Sequence, residues 1–131
     1  MDTEIRLYTG GIIYAVISGD IDHHTAKGIR SDIDKAITER DPKLLILDFS
    51  RVTFMDSSGI GLVMGRYRQM ADRGGEVILT EVVGYIRKVF QLSGIDRLTK
   101  IAGDVSRYIG CEHRLDEEDI KEEKTDEAKA Y

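Results

Sequence analysis

The chain has 131 residues, a formal net charge of −5, 41% apolar residues and one cysteine. That is a single domain with enough apolar content for one core, and a lone cysteine excludes an intrachain disulfide scaffold and fits a reducing compartment. No apolar run approaches the roughly 18 residues of a membrane span, and Met1-Asp2-Thr3-Glu4 lacks the basic-then-apolar start of a signal peptide, so the expectation is a cytoplasmic protein.

The charge is unevenly placed. Residues 112–131 hold nine acids and four bases, whereas residues 1–111 hold fifteen of each. A neutral body with an acidic tail lacks the concentrated basic face that nucleic acid requires. It does not suit an anionic membrane surface either.

Residues 4–8 alternate polar and apolar and predict a strand with one wet face. Thr9-Gly10-Gly11 is a turn signal, and residues 12–18, more apolar, predict a second strand closing a hairpin. Gly19 to His24 reads as a loop, with Asp22 as N-cap of a helix that runs to about Arg40. Ala26, Ile29, Ile33, Ala36 and Ile37 form its apolar stripe, and Asp41-Pro42 stops it.

Residues 43–49 predict a third strand. The unbroken Leu44-Leu45-Ile46-Leu47 run points to burial on both faces, as in a central parallel strand. Residues 50–56 lead into a second helix over 58–72, with Ile60, Val63, Met64, Tyr67, Met70 and Ala71 as its expected inward face and Gly74-Gly75 as its stop. Residues 76–80 predict a fourth strand. A third helix lies within 83–93, with Ile86, Val89 and Phe90 inward and Gly94 as its end. Residues 98–102 read as a short last strand and 105–111 as a last helical turn or two. The alternation after the hairpin predicts an α/β fold with parallel pairing and right-handed crossovers. Beyond residue 112 there is no core-forming stripe, so the domain is bounded at 1–111 and 112–131 reads as an acidic tail, either flexible or a charged, partly helical appendage. Residues 113–131 are expected to be dispensable for the fold.

The segment richest in chemistry is Val52-Thr53-Phe54-Met55-Asp56-Ser57-Ser58-Gly59-Ile60-Gly61. It joins a buried strand to a helix, so two serines and an aspartate sit at a helix N-terminus, where free N–H groups favour negative charge. Simple capping is one reading of it. A serine hydrolase with Ser57 as nucleophile is another. That reading lacks the glycine two positions before the serine, where Met55 stands, and would need His23 or His24 as base. His23 and His24, in an extended segment, are expected to point to opposite sides, and no third ligand is spaced to join them, so no metal is expected. No phosphate-binding glycine pattern is present, and no cofactor is expected. Gly59, Gly61 and Gly65 either pack on the protein's own sheet or leave a bare helix face for another chain. Cys111 reads as a small buried hydrophobe rather than a reactive thiol.

Segment 47–69, centred on Asp56-Ser57-Ser58-Gly59, resembles the signature of anti-sigma factor antagonists, members of the STAS domain family. Gly19-Asp20-Ile21-Asp22-His23-His24-Thr25-Ala26 resembles the matching loop of the sporulation-type member, rather than the general-stress branch. Val89-Phe90-Gln91-Leu92-Ser93-Gly94 is similar to the family's third-helix ending. The resemblance covers roughly residues 4–102. It implies the STAS fold, a mixed and mostly parallel sheet of four to five strands flanked by helices and opening with a β-hairpin. It implies a non-enzymatic partner switch: the unphosphorylated protein binds an anti-sigma factor that is also a serine kinase, the sigma factor is released, phosphorylation ends binding, and a serine phosphatase resets the cycle. By the same resemblance the acceptor is Ser57, with Asp56 beside it. The partner surface is expected at Asp22, His23, Asp56, Ser57, Ser58, Ile60 and Gly61, because loops after neighbouring parallel strands lie side by side. Ser58 is expected to be structural, its hydroxyl serving the local backbone. A scaffold STAS domain whose serine is never modified is the remaining alternative.

Overall fold

The computed structural model describes residues 3–110 and 112–115. Five strands, β1 (Thr3–Tyr8), β2 (Ile12–Ile21), β3 (Leu44–Met55), β4 (Glu76–Thr80) and β5 (Lys100–Ala102), form one sheet in chain order. β1 pairs antiparallel with β2 through the Gly10-Gly11 turn, and every later pair is parallel. The crossovers carry α1 (Ala26–Arg40), α2 (Ser58–Asp72) and α3 (Gly84–Ser93). Because the strands from β2 to β5 always advance in the same direction, right-handed crossovers place all three helices on one face.

The period-2 alternation of the strands divides their apolar residues between two cores. Ile13, Ala15, Ile17, Leu45, Leu47, Val77 and Leu79 point to the helices, where they meet Ile29, Ile33 and Ile37 of α1, Leu62, Val63 and Met70 of α2, and Ile86 and Phe90 of α3. Ile29 and Ile33 are wholly buried, each worth about 1.5–3 kcal/mol relative to exposure. Ile12, Ile46 and Ile78 point the other way and are covered by Val105, Tyr108 and Ile109, from the four-residue α4 (Ser106–Ile109) and the residue before it. On this face Tyr14 donates a hydrogen bond to the buried Asp48, and burial first, then Asp48, pushes the Tyr14 hydroxyl pKa up. The Leu44–Leu47 run is therefore buried from both sides, as its composition implied.

Three expectations are corrected. β2 and β3 run past Ser18 and Phe49 to Ile21 and Met55. Beyond Asp48↔Thr80 β4 no longer accompanies β3, and β2 and β3 continue as a two-stranded ribbon with register shifts at Val16/Ser18 and Gly19/Asp20. Gly19 sits at φ +81, a conformation glycine adopts without strain. The second correction is to the inward face of α2. It is Gly59, Leu62, Val63, Arg66 and Met70; Ile60 and Met64 only flank the core, Tyr67 is half-buried, and Ala71 is exposed. Arg66 is buried because its Nε meets Asp34 of α1 at 2.9 Å. Burial holds the Arg66 guanidinium below its ordinary pKa, and Asp34 offsets only part of that.

The third concerns the start of the acidic tail. Glu112 to Leu115 turn back onto the hairpin: Thr9 N–H donates to His113 C=O at 2.9 Å, Leu115 N–H to Leu7 C=O at 2.7 Å, and Arg114 bridges Tyr8 in antiparallel fashion. Backbone pairing needs no apolar periodicity, so composition could not reveal it. Cys111 and the remainder of the tail, 116–131, lie outside the described residues.

Candidate functional site at the N-terminal turns of α1 and α2

The β2–β3 ribbon sets the site. Ile21 and Met55 are register partners, and Asp56 N–H donates to Ile21 C=O at 3.1 Å. The loops that follow the two strands are thereby locked side by side. Thr53 Oγ1 donates to Asp20 at 2.8 Å and fastens them again.

At the start of α1, the Asp22 carboxylate accepts the N–H of His24 at 2.8 Å and of Thr25 at 3.0 Å. Thr25 Oγ1 in return accepts the N–H of Asp22 at 3.0 Å. This is a reciprocal capping box, one turn ahead of the regular helix. The hydrogen bond from Thr25 N–H holds the Asp22 carboxyl below its ordinary range, helped by that from His24. The helical turn also brings the His23 and His24 rings to 3.9 Å between centroids. They do not diverge as an extended segment would make them, because the segment is not extended.

At the start of α2, Asp56 does the capping: its carboxylate accepts the N–H of Ser58 at 2.8 Å. Ser57 occupies the N-cap position with helical φ and ψ, its side chain makes no capping bond, and it is exposed. Its carbonyl accepts the N–H of Ile60 and Gly61. What the turn fixes at Ser58 is the backbone N–H, whereas the expectation assigned that role to its hydroxyl. Gly59 is required by packing, since a Cβ there would lie 2.3 Å from Met55 Sδ. Gly61 and Gly65 face open space instead. Gly59 therefore packs on the protein's own core, as one of the two readings had it, while a Cβ at Gly61 or Gly65 would touch nothing.

His23, Ser58 and Gly61 line one open groove of about 420 Å³ with Ala26, Lys27, Arg30 and Leu62. Asp22, Asp56 and Ser57 precede its lining residues in the chain and do not themselves line it, while Ile60 packs against the core. The residues that local pattern missed are on the flanks. Lys27 and Arg30 follow His23 at helical spacing and so share its face, a signal present in the sequence. Tyr85 of α3 had none: its hydroxyl oxygen accepts the N–H of Met55 at 2.6 Å. Phe54, Val83 and Tyr85 are large apolar residues left exposed.

Among the described residues no side chain is hydrogen-bonded to the Ser57 hydroxyl. A hydrolytic nucleophile would need a base within hydrogen-bond reach, and none of the described side chains holds that position here. Among the described residues there is no group of three or more His, Cys, Asp or Glu side chains able to hold a metal ion. No described helix is long and apolar enough to cross a membrane.

The STAS domain model matches residues 7–107. An anti-sigma F factor antagonist of Lysinibacillus sphaericus is 36% identical over 95 residues, 72% of this chain and 81% of that protein. The solved anti-sigma factor antagonist SpoIIAA in its unphosphorylated form superposes with a TM-score of 0.71 at 34% identity, covering 82% of this chain and 96% of that one. The Bacillus cell fate determinant SpoIIAA in its phosphorylated form superposes at 0.65 with the same identity, covering 81% and 96%. The chain belongs to the STAS domain family, on the side of its anti-sigma factor antagonists.

Proposed function

From that membership we propose that the protein is an anti-sigma factor antagonist working by partner switching, with Ser57 as its phosphorylation switch. In the unphosphorylated state the loops at Asp22-His23 and Asp56-Ser57-Ser58, with the Gly61 groove, bind an anti-sigma factor serine kinase in the cytoplasm and free the sigma factor. Phosphorylation of Ser57 ends that contact, and a serine phosphatase restores it. The relatives solved as unphosphorylated and phosphorylated SpoIIAA support a switch of this kind.

The observation that carries the proposal is the division of labour at the start of α2. Asp56 caps the helix, so the exposed Ser57 hydroxyl is left without a structural task. A kinase can modify it without removing a bond the fold needs. The phosphate adds about −1.5 to −2 charge, and a helix N-terminus accommodates such an anion. Next to the Asp56 carboxylate, it changes the local surface from a small neutral hydroxyl to bulk and strong negative charge. A loss of about 3 kcal/mol in the complex weakens binding more than a hundredfold. No large rearrangement of the domain is required.

The test is intact-mass and fragment-mass analysis of the full chain after incubation with the cognate anti-sigma kinase and ATP. One phosphate is expected, mapped to Ser57. Ser57→Ala should still bind the kinase and incorporate none, and Ser58→Ala should still accept phosphate at Ser57. Phosphate on Ser58, or undiminished incorporation into Ser57→Ala, would overturn the assignment.

A further inference from the structure

β5 is the last strand of the sheet and has β4 as its one neighbour among the described residues. None of the described residues pairs with its other edge, and an open edge is a template for a further length of extended chain. That edge forms the floor of a cleft of about 630 Å³. Arg87 and Gln91 of α3 form one wall, and Arg107 and Tyr108 of α4 the other. Lys100 rises from the strand itself. Its ammonium lies 5.8 Å from the Tyr108 ring centroid and the Arg107 guanidinium 4.7 Å from it, so the ring gathers two cations at one place. Asp96 and Asp104 also line the cleft, but Asp104 is occupied as the acceptor of Ser106 N–H.

The sequence shows the same polarity. Residues 84–111 carry five bases against two acids, the only one of the three stretches with net positive charge; residues 1–83 carry thirteen acids against ten bases, and residues 116–131 eight acids against three bases. The described chain reaches Leu115 on β1, at the opposite edge of the sheet. Four strand spacings of about 4.8 Å separate the two edges, roughly 19 Å. The twelve residues from 116 to 127 span up to roughly 40 Å when extended. Glu122, Glu123, Asp126 and Glu127 are therefore within reach of the cleft.

We propose that the acidic segment 116–127 docks in the cationic cleft along the free edge of β5 of its own chain. Extended backbone pairs with the open edge, and the carboxylates face Arg87, Lys100 and Arg107. The interaction is independent of the Ser57 switch, which lies beyond the end of β3.

The test is paramagnetic relaxation on the full chain, with a nitroxide at Ala128→Cys in a Cys111→Ser background. Amide signals of residues 99–102 and 107–108 should broaden, and the broadening should fall at least several-fold in 0.5 M salt, about where screening reaches a few ångströms. Lys100→Glu with Arg107→Glu should abolish it. Glu122→Gln, Glu123→Gln, Asp126→Asn and Glu127→Gln together should do the same with the domain itself untouched. Uniform broadening, broadening centred on Lys27 and Arg30, or insensitivity to the tail variant would overturn the proposal. So would broadening seen only when the nitroxide is on an isotopically unlabelled copy mixed with labelled protein, since the segment would then be docking on a second molecule.

Discussion

The N-terminal turns of α1 and α2 leave neighbouring strands at paired residues, Ile21 and Met55, and each has an aspartate at its start. At α1, Asp22 accepts two backbone N–H groups and Thr25 returns a bond to the Asp22 N–H, so the polar side chains of that turn are spent on the fold. At α2, one residue, Asp56, supplies the cap, and Ser57 is left exposed with a free hydroxyl. Equivalent sequence chemistry thus yields one closed turn and one open one. A turn whose side chains are consumed by its own backbone gives a partner shape but little chemistry, whereas a free hydroxyl at a helix N-terminus can be modified at small structural cost.

The contrast can be broken first where the two helices are held together. Arg66→Ala removes the buried guanidinium that ties α2 to Asp34 of α1, and its aliphatic stem leaves the core with it. Denaturant unfolding should show a loss of about 2–3 kcal/mol, below the full figure for a buried pair because Asp34 is partly exposed. Gly59→Ala comes next. Its Cβ would meet Met55 Sδ at 2.3 Å, and the overpacking should lower stability by about 1–2 kcal/mol after the gain in helix propensity.

Gly61→Ala sharpens the comparison in the opposite direction. Open space surrounds that position, so the substitution should raise stability by about 0.5–1 kcal/mol. It should also weaken capture of the anti-sigma partner in a binding titration, because the added methyl enters the groove. A variant that binds normally would remove Gly61 from the partner surface.

The α1 and α2 turns should differ least in size, but most cleanly in pH dependence. The Asp22 carboxyl is held below the ordinary aspartate range in the folded state by its bonds from Thr25 and His24. Its stabilisation is therefore complete above that range and is lost as pH falls through the lower folded value. Asp22→Ala should melt below the parent near neutral pH, and the gap should close as the solution is acidified below about pH 4. Ser57→Ala should melt with the parent at every pH, having no bond to lose.

Much of the scaffold was legible because each element carries its own period. The Ile29, Ile33 and Ile37 spacing, the alternation in β1 and the Leu44–Leu47 run report local geometry and burial together. The α2 stripe was misjudged in part because two of its inward positions, Gly59 and Arg66, have no apolar side chain; one is inward to admit Met55, the other lies beside Asp34 of α1. The ribbon beyond Phe49 was illegible for a related reason. Its residues Ser50, Arg51, Thr53 and Phe54 are exposed, so the strand is held there by backbone pairing with β2 and leaves no apolar pattern.

The site divides along the same line. The amino-acid sequence by itself determined that an aspartate and two serines would start a helix after a buried strand, since that follows from strand pattern, caps and chain order. It also determined the capping role of Asp22, which depends on groups three residues apart. The Asp56 cap on Ser58 is equally local. Only the tertiary structure decided that Lys27 and Arg30 would wall the groove beside Ser58 and Gly61, and that Tyr85 would accept the Met55 N–H. Those outcomes depend on which hydrogen-bond partner reaches a group first across elements distant in the chain, and such competition is settled by packing geometry, which local pattern does not encode.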